Sequence, residues 1–148
     1  VSAAKKGRND SLWLTDFEDS LRQAKEQDKI ILIVFSGSDW CKPCIKLSKE
    51  VFATDAFKTY ARENLILLQV DFPRYKKNRL SAQQTRHNET LAERYNKNGE
   101  FPLVVLVNSA KKLLAVTGYR RGGPDKYIEH LKSLLLFTQP SIAPDDGR

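Results

Sequence analysis

Methionine is absent from the 148 residues, and cysteine occurs only twice, at Cys41 and Cys44. Any thiol chemistry therefore rests on that one pair. Histidine is nearly as scarce. His87 and His130 lie at no ligand spacing from the cysteines or from each other, so neither a zinc site nor a Cys-His hydrolase is expected. No apolar run approaches the ~20 residues needed to span a bilayer, which excludes a transmembrane helix, and no signal peptide is visible. A chain that begins at Val1 and has no methionine reads as a processed or trimmed one, and a removed export signal fits. A recognisable nucleic-acid module is missing too. The net charge of +7, from 25 Lys and Arg against 18 Asp and Glu, is thus read as a basic, solvated surface with no nucleic-acid partner.

What is present suits one soluble domain. Hydrophobic residues make up 41% and charged residues 29%, and the length allows a self-sufficient core. Small, polar and basic residues over 1–11 read as a flexible arm, and the segment 138–148, with its prolines and aspartates, reads as a flexible tail. The domain is expected over 12–137. There are no internal repeats.

Between those ends, apolar periodicity alternates between strand and helix. Trp13 and Leu14 lead into a helix expected over 15–28, with Thr15 and Glu18 at capping-box spacing and Leu14, Phe17, Leu21 and Ala24 on one face. Six successive apolar residues, Ile30–Phe35, read as a central strand buried on both faces. A turn, Ser36-Gly37-Ser38-Asp39, delivers Trp40 and Cys41 to a helix expected over 41–52, with Cys44, Leu47 and Val51 inward. A further helical turn follows over 55–60. A second strand is expected over 65–71, a loop with Arg74, Lys76, Lys77 and Arg79 over 72–84, and a helix over 84–95. Strands over 103–107 and 113–117 form an antiparallel hairpin, and Pro124 and Asp125 open the last helix, whose core face is Tyr127, Ile128, Leu131, Leu134 and Leu135. The basic loop reads as solvated, with steering of a substrate as the functional alternative.

The chemistry concentrates in Trp40-Cys41-Lys42-Pro43-Cys44. Residues i and i+3 of a helix share a face, close enough for two sulfurs to be bridged. If Cys41 caps or opens the helix, it meets unsatisfied backbone N–H groups and the positive end of the helix dipole. Both stabilise a thiolate, and Lys42 adds a positive charge, so the Cys41 thiol is expected below the free value of ~8.5. Cys44, one turn further in, is expected to be the more buried, resolving thiol. Pro43 is tolerated because the first turn makes no use of its missing N–H.

A C-x-x-C placed after an apolar strand and beside a βαβ pattern resembles the active site of the thioredoxin superfamily. The wider phrase, from Trp13 and Phe17 through Phe35-Ser-Gly-Ser-Asp-Trp-Cys to Glu50-Val51-Phe52, is similar to a branch of exported bacterial thioredoxin-like proteins. It also resembles the C-terminal domain of periplasmic thiol-disulfide interchange reductases. The likeness covers roughly Leu12 to Phe137. It implies an α/β thioredoxin fold, a mixed central β-sheet flanked by helices, with an extra N-terminal helix. It implies a thiol-disulfide oxidoreductase acting on protein disulfides through Cys41 and Cys44, with the reductase direction slightly favoured. The alternative is a thioredoxin-fold interaction module whose disulfide is structural or vestigial.

By the same likeness Pro102 is the cis proline beside the active-site disulfide. Phe101 then offers backbone groups to an extended substrate peptide, and Trp40 packs over the active-site helix and frames the substrate face with Lys42 and Pro43. No bound cofactor is implied. An upstream redox partner is, in the exported case a membrane reductase or another periplasmic redox protein, and a monomer is expected. The compartment is periplasmic or otherwise exported, with the cytoplasm also compatible. One departure stands out. Many thioredoxins carry a buried aspartate six residues before the first cysteine, helping the second cysteine lose its proton; here that position is Phe35. Asp39 is the nearest acid, and its place in a turn reads as solvation.

Overall fold

In the computed structural model, which describes residues 12–136, strands and helices alternate along the chain. In order they are β1 (Trp13–Leu14), α1 (Phe17–Gln27), β2 (Ile30–Ser36), α2 (Lys42–Leu47), α3 (Asp55–Asn64), β3 (Leu65–Asp71), α4 (Ala82–Tyr95), β4 (Leu103–Val107), β5 (Leu113–Thr117) and α5 (Gly123–Leu136). A π-helical turn, Ser48–Phe52, extends α2, and a 3-10 turn, Lys76–Asn78, lies between β3 and α4. The expected arm over 1–11 and tail over 138–148 lie outside the described residues.

The strands form one mixed sheet in the order β1-β3-β2-β4-β5. β2 runs parallel to β3 and antiparallel to β4, which places it at the centre. Alternation with period two sends its side chains to two separate cores. Ile31, Ile33 and Phe35 face α1 and α4, where Phe17, Leu21, Ala24 and Leu91 cover them. Leu32 and Val34 face α2, α3 and α5, against Leu47, Val51, Phe57, Ala61, Tyr127 and Leu131. This is why the run is uninterrupted in the sequence: neither face of the strand meets water. Each fully buried aliphatic or phenyl side chain contributes about 1.5–3 kcal/mol, so the two faces of β2 are a large share of the domain's cohesion.

The edge strand β1 departs from the sequence expectation. Trp13 and Leu14 pair in parallel with Leu67 and Leu68 instead of leading directly into the helix. The cause is the cap. Asp16 is extended, and its carboxylate accepts the Asp19 N–H at 3.0 Å, so Asp16 rather than Thr15 starts α1. His87 supplies a second acceptor, its Nε2 receiving the Phe17 N–H at 3.0 Å, and thereby fastens α4 to the start of α1. The residues ahead of the cap are left extended. Leu14 still joins the α1 side of the core, and Trp13 turns to the other side, its ring 5.2 Å from that of Phe52.

Two other boundaries shift for the same reason. Ser81 caps α4 by accepting the Gln84 N–H at 3.0 Å, so that helix begins at Ala82, and Thr54 Oγ1 accepts the Phe57 N–H at 3.2 Å to open α3, which runs on to Asn64. The hairpin strands and the last helix follow the sequence pattern, with Tyr127 and Leu131 buried and Ile128, Leu134 and Leu135 packed against the core.

Candidate active site

The turn after β2 brings the cysteines to the carboxyl edge of the parallel strands, where reaction sites of open α/β sheets collect. Cys41 is the N-cap of α2. Its backbone is extended, its carbonyl accepts the Ile45 N–H at 3.0 Å, and its sulfur accepts the Cys44 N–H at 3.3 Å. Lys42 and Pro43 occupy the first turn, both exposed, with no acidic residue in that turn. Cys41 and Cys44 are joined as a disulfide with their Cα atoms 5.2 Å apart. The sulfur of Cys44 also receives a backbone N–H, that of Gly37, at 3.5 Å.

The expected contrast in burial is corrected. Cys41 is 5% exposed and Cys44 4%, so the two are equally covered in the bonded form. Cys41 is hidden because its side chain folds back over the first turn of α2 to take the Cys44 N–H. What distinguishes the two is surroundings. Cys44 lines a partly open cavity of about 150 Å³, walled by Trp13, Val34, Ser36, Ser48, Gln69 and Pro102 among others.

That cavity revises the reading of Phe35. The phenyl ring is fully buried on the α1 side of β2, whereas the residues that reach the Cys44 side are its neighbours Val34 and Ser36. Alternation along the strand dictates this, since adjacent residues point to opposite faces. Position 35 is therefore not beneath Cys44. The polar groups lining the space are the hydroxyls of Ser36 and Ser48 and the Gln69 amide, with no carboxylate among the described lining residues.

Around the disulfide three segments meet. Trp40 donates its indole N–H to the Phe72 carbonyl at 2.7 Å and stands edge-on to Phe101, with ring centroids 5.4 Å apart. Phe101 in turn meets Phe72 at 5.6 Å. Trp40 thus braces the cysteine turn against the ends of β3 and β4; it was expected over the active-site helix. Gly37 lies so close to the indole that a Cβ there would come well inside contact distance of the ring atoms. The Phe101–Pro102 peptide is cis, as expected, and Pro102 shares the cavity wall with Cys44. Behind it, a Cβ on Gly118 would come within 3.3 Å of the Pro102 carbonyl oxygen, so the β5–α5 loop closes on this corner.

Asp39 departs from its expected role as a solvated turn residue. Its carboxylate accepts the backbone N–H groups of Arg74 and Tyr75 at 2.9 and 3.0 Å and the Asn78 side-chain amide at 2.8 Å. Desolvation pushes this carboxyl up, but the hydrogen bonds from Asn78, Arg74 and Tyr75 outweigh it and hold the group below its ordinary value. Asp71 mirrors the arrangement from the other side, accepting from the backbone and hydroxyl of Ser38 at 2.9 and 2.6 Å. The basic loop is consequently latched to the cysteine turn.

Sequence reading named Trp40, Lys42, Pro43, Phe101 and Pro102 around the cysteines, and the fold brings all five to this corner. It missed Phe72 and Asp39 as partners of the turn and the polar wall at Ser36, Ser48 and Gln69. The one available signal was the acidic residue ending each segment, Asp39 before Trp40 and Asp71 before Phe72, and nothing local tells which backbone each will cap. The two histidines have structural partners: His87 as above, and His130, whose Nε2 lies 2.7 Å from Thr117 Oγ1. Desolvation and the nearby Arg120 hold His130 below its ordinary value. No cluster among the described residues has the makings of a metal site.

A mixed sheet covered by helices on both faces, with a C-x-x-C capping the helix after the central strand, defines the thioredoxin fold. The chain belongs to the thioredoxin-like family, whose model matches residues 12–109. It is 34% identical over 125 residues to the disulfide bond reductase DsbH of Chlamydia pneumoniae, a match covering 84% of this chain and 74% of that one. A solved structure of a DsbH oxidoreductase superposes with a TM-score of 0.76 at 30% identity, covering 92% of this chain and 94% of the other. A thioredoxin from Thermus thermophilus, at 14% identity, shares the fold with a TM-score of 0.64 over 87% and 90% of the two chains. The protein is a thiol-disulfide oxidoreductase.

Proposed function

We propose that the chain reduces protein disulfides in the periplasm or an equivalent exported compartment, with Cys41 as the attacking thiol and Cys44 as the resolving thiol. The observation that carries the assignment is the placement of Cys41 as N-cap of α2, its sulfur on an otherwise unpaired N–H of the first turn. That environment favours the thiolate, which is the nucleophile. The reduced protein begins the cycle. The Cys41 thiolate attacks one sulfur of a substrate disulfide, forms a mixed disulfide and expels the other substrate sulfur as a thiolate. Cys44 gives up its proton to solvent water or to the expelled substrate thiolate, and its own thiolate then attacks the Cys41 sulfur. The Cys41–Cys44 disulfide forms and the second substrate sulfur leaves.

The substrate gains two electrons and the protein loses two, so each turnover needs a redox partner that reduces the pair again. A protein dithiol or a membrane-bound reductase has the right chemistry. The rim formed by Trp40, Lys42, Pro43, Phe101 and Pro102 would receive an extended substrate segment, with the backbone at Phe101 pairing with it as an added strand. The reductase direction is supported by the likeness to DsbH, which is named a disulfide bond reductase; the exported compartment rests on the sequence resemblance to exported thioredoxin-like proteins. No helix among the described residues is long and apolar enough to cross a membrane.

The test is a single turnover. Reduced protein is mixed with a peptide containing one disulfide and the products are counted after an acid quench. One peptide dithiol released for each protein oxidised is the expected stoichiometry. Oxidised protein that instead drives thiol peptides to disulfides, with no reduction in the forward mix, would reverse the proposed direction.

A further inference from the structure

From Phe72 to Asn88 the chain contains no acidic residue, yet the loop at its start carries Arg74, Lys76, Lys77 and Arg79. None of these four forms an ion pair among the described residues. The two nearest carboxylates, Asp39 and Asp71, have their hydrogen-bonding capacity taken by the loop backbone, Asn78 and Ser38. So the loop is fixed by acids that leave its cationic side chains free. Arg74 is the best placed of them. Its guanidinium lies 3.8 Å from the ring centroid of Trp40, the residue before Cys41, in a cation–π contact that restrains the planar group. Lys42, between the two cysteines, is exposed and also without an acidic partner among the described residues. Arg79 sits apart, in a depression of about 600 Å³ that it shares with Arg86, Asp71 and Glu89, where the charges of both signs offset one another. The uncompensated charge is thus on the ledge of Arg74, Lys76 and Lys77.

We propose that this ledge selects substrates by binding an acidic stretch of polypeptide next to the disulfide that Cys41 attacks. The inference rests on the oxidoreductase reading of the same site and names its substrate class. A guanidinium already fixed on an aromatic face offers its N–H edge to a carboxylate with little further loss of freedom. Lys76 and Lys77, on the 3-10 turn, extend the positive field outward and speed encounter with a negatively charged chain. The occupant is a polypeptide rather than a lipid surface because Arg74 is stacked on Trp40, the residue before Cys41, and the loop backbone is hydrogen-bonded to Asp39 of the cysteine turn, so the ledge and the redox pair move as one unit.

Three peptides of equal length, each with one disulfide flanked by aspartates, serines or lysines, test this. Their second-order rates with the reduced protein are measured at low salt and at about 1 M salt, where the screening length falls to about 3 Å. The aspartate peptide should react ~10-fold or more faster than the lysine peptide at low salt, and the gap should close at high salt. The triple variant Arg74→Gln, Lys76→Ser, Lys77→Ser should lose most of the gap, while the reduction potential of the disulfide stays that of the parent. Equal rates for all three peptides at low salt, with the serine peptide still reduced, overturn the docking assignment alone. Failure to reduce even the serine peptide overturns the oxidoreductase reading beneath it. Binding to phosphatidylserine vesicles that the triple variant loses, without any peptide preference, would assign the ledge to a lipid surface and likewise overturn the proposal.

Discussion

Cys44→Ser will capture a disulfide substrate and fail to release it, whereas Cys41→Ser will capture nothing. Both variants should lose turnover by on the order of 10³-fold or more, the scale expected when one member of a covalent relay is removed. Only the trapped adduct separates their roles. Cys41 stands at the helix N-terminus with its sulfur on the Cys44 N–H, so it is the thiol poised to attack. Cys44 lies one turn further along α2, its sulfur on the Gly37 N–H and against the pocket it shares with Pro102 and Ser36, which leaves it the thiol placed to attack Cys41 once Cys41 carries the substrate. Intact-mass analysis of each variant after incubation with a disulfide peptide reads the result. An adduct on Cys41→Ser and none on Cys44→Ser would exchange the two assignments.

Phe35→Ala should cost about 3–5 kcal/mol of folding stability, the usual range for deleting a buried phenyl group. The ring is fully buried between Phe17, Leu21 and Leu91 on one side and the centre of the sheet on the other, with little room for the backbone to relax into the void. Phe35→Asp should cost at least as much, because the carboxyl would enter an apolar core with no partner. It should not hasten release of a substrate from Cys41, since the side chain points away from the cavity at Cys44. Urea unfolding and the rate of resolution of a preformed mixed disulfide give the two readings. A Phe35→Asp protein of parental stability with faster resolution would put position 35 under Cys44 after all.

Phe35 also shows where sequence reading succeeds and where it stops. The apolar run over 30–35 specifies a strand buried on both faces, and β2 is that strand, at the centre of the sheet. Its composition cannot say which face meets Cys44, because that depends on how the turn Gly37–Trp40 aims α2. The strands over 65–71, 103–107 and 113–117 were legible to the residue, because each is a short apolar run bounded by turn residues. β1 was not. Two residues carry too little pattern to be told from the start of a helix, and only their pairing with Leu67 and Leu68 makes them a strand.

The site divides in the same way. Cys41, Cys44 and the cis Pro102 are visible because their spacing and context are local. The grip of Asp39 on residues 74–78 spans more than thirty positions and has no local signature. Thr15 with Glu18 has the spacing of a capping box, yet Asp16 wins the cap, a competition decided by the Asp19 N–H and by His87 arriving from α4.

The central claim is that Cys41 and Cys44 form a working redox couple that donates electrons to substrates. Its most direct test is the reduction potential of the pair, by equilibration of the protein with defined thiol/disulfide buffers and quantification of free thiols. A value near ~−270 mV, in the range of thioredoxin-like reductants, is the predicted result. A pair that stays oxidised far below ~−300 mV would behave as a structural disulfide, and one near ~−120 mV would be an oxidant; either contradicts the account.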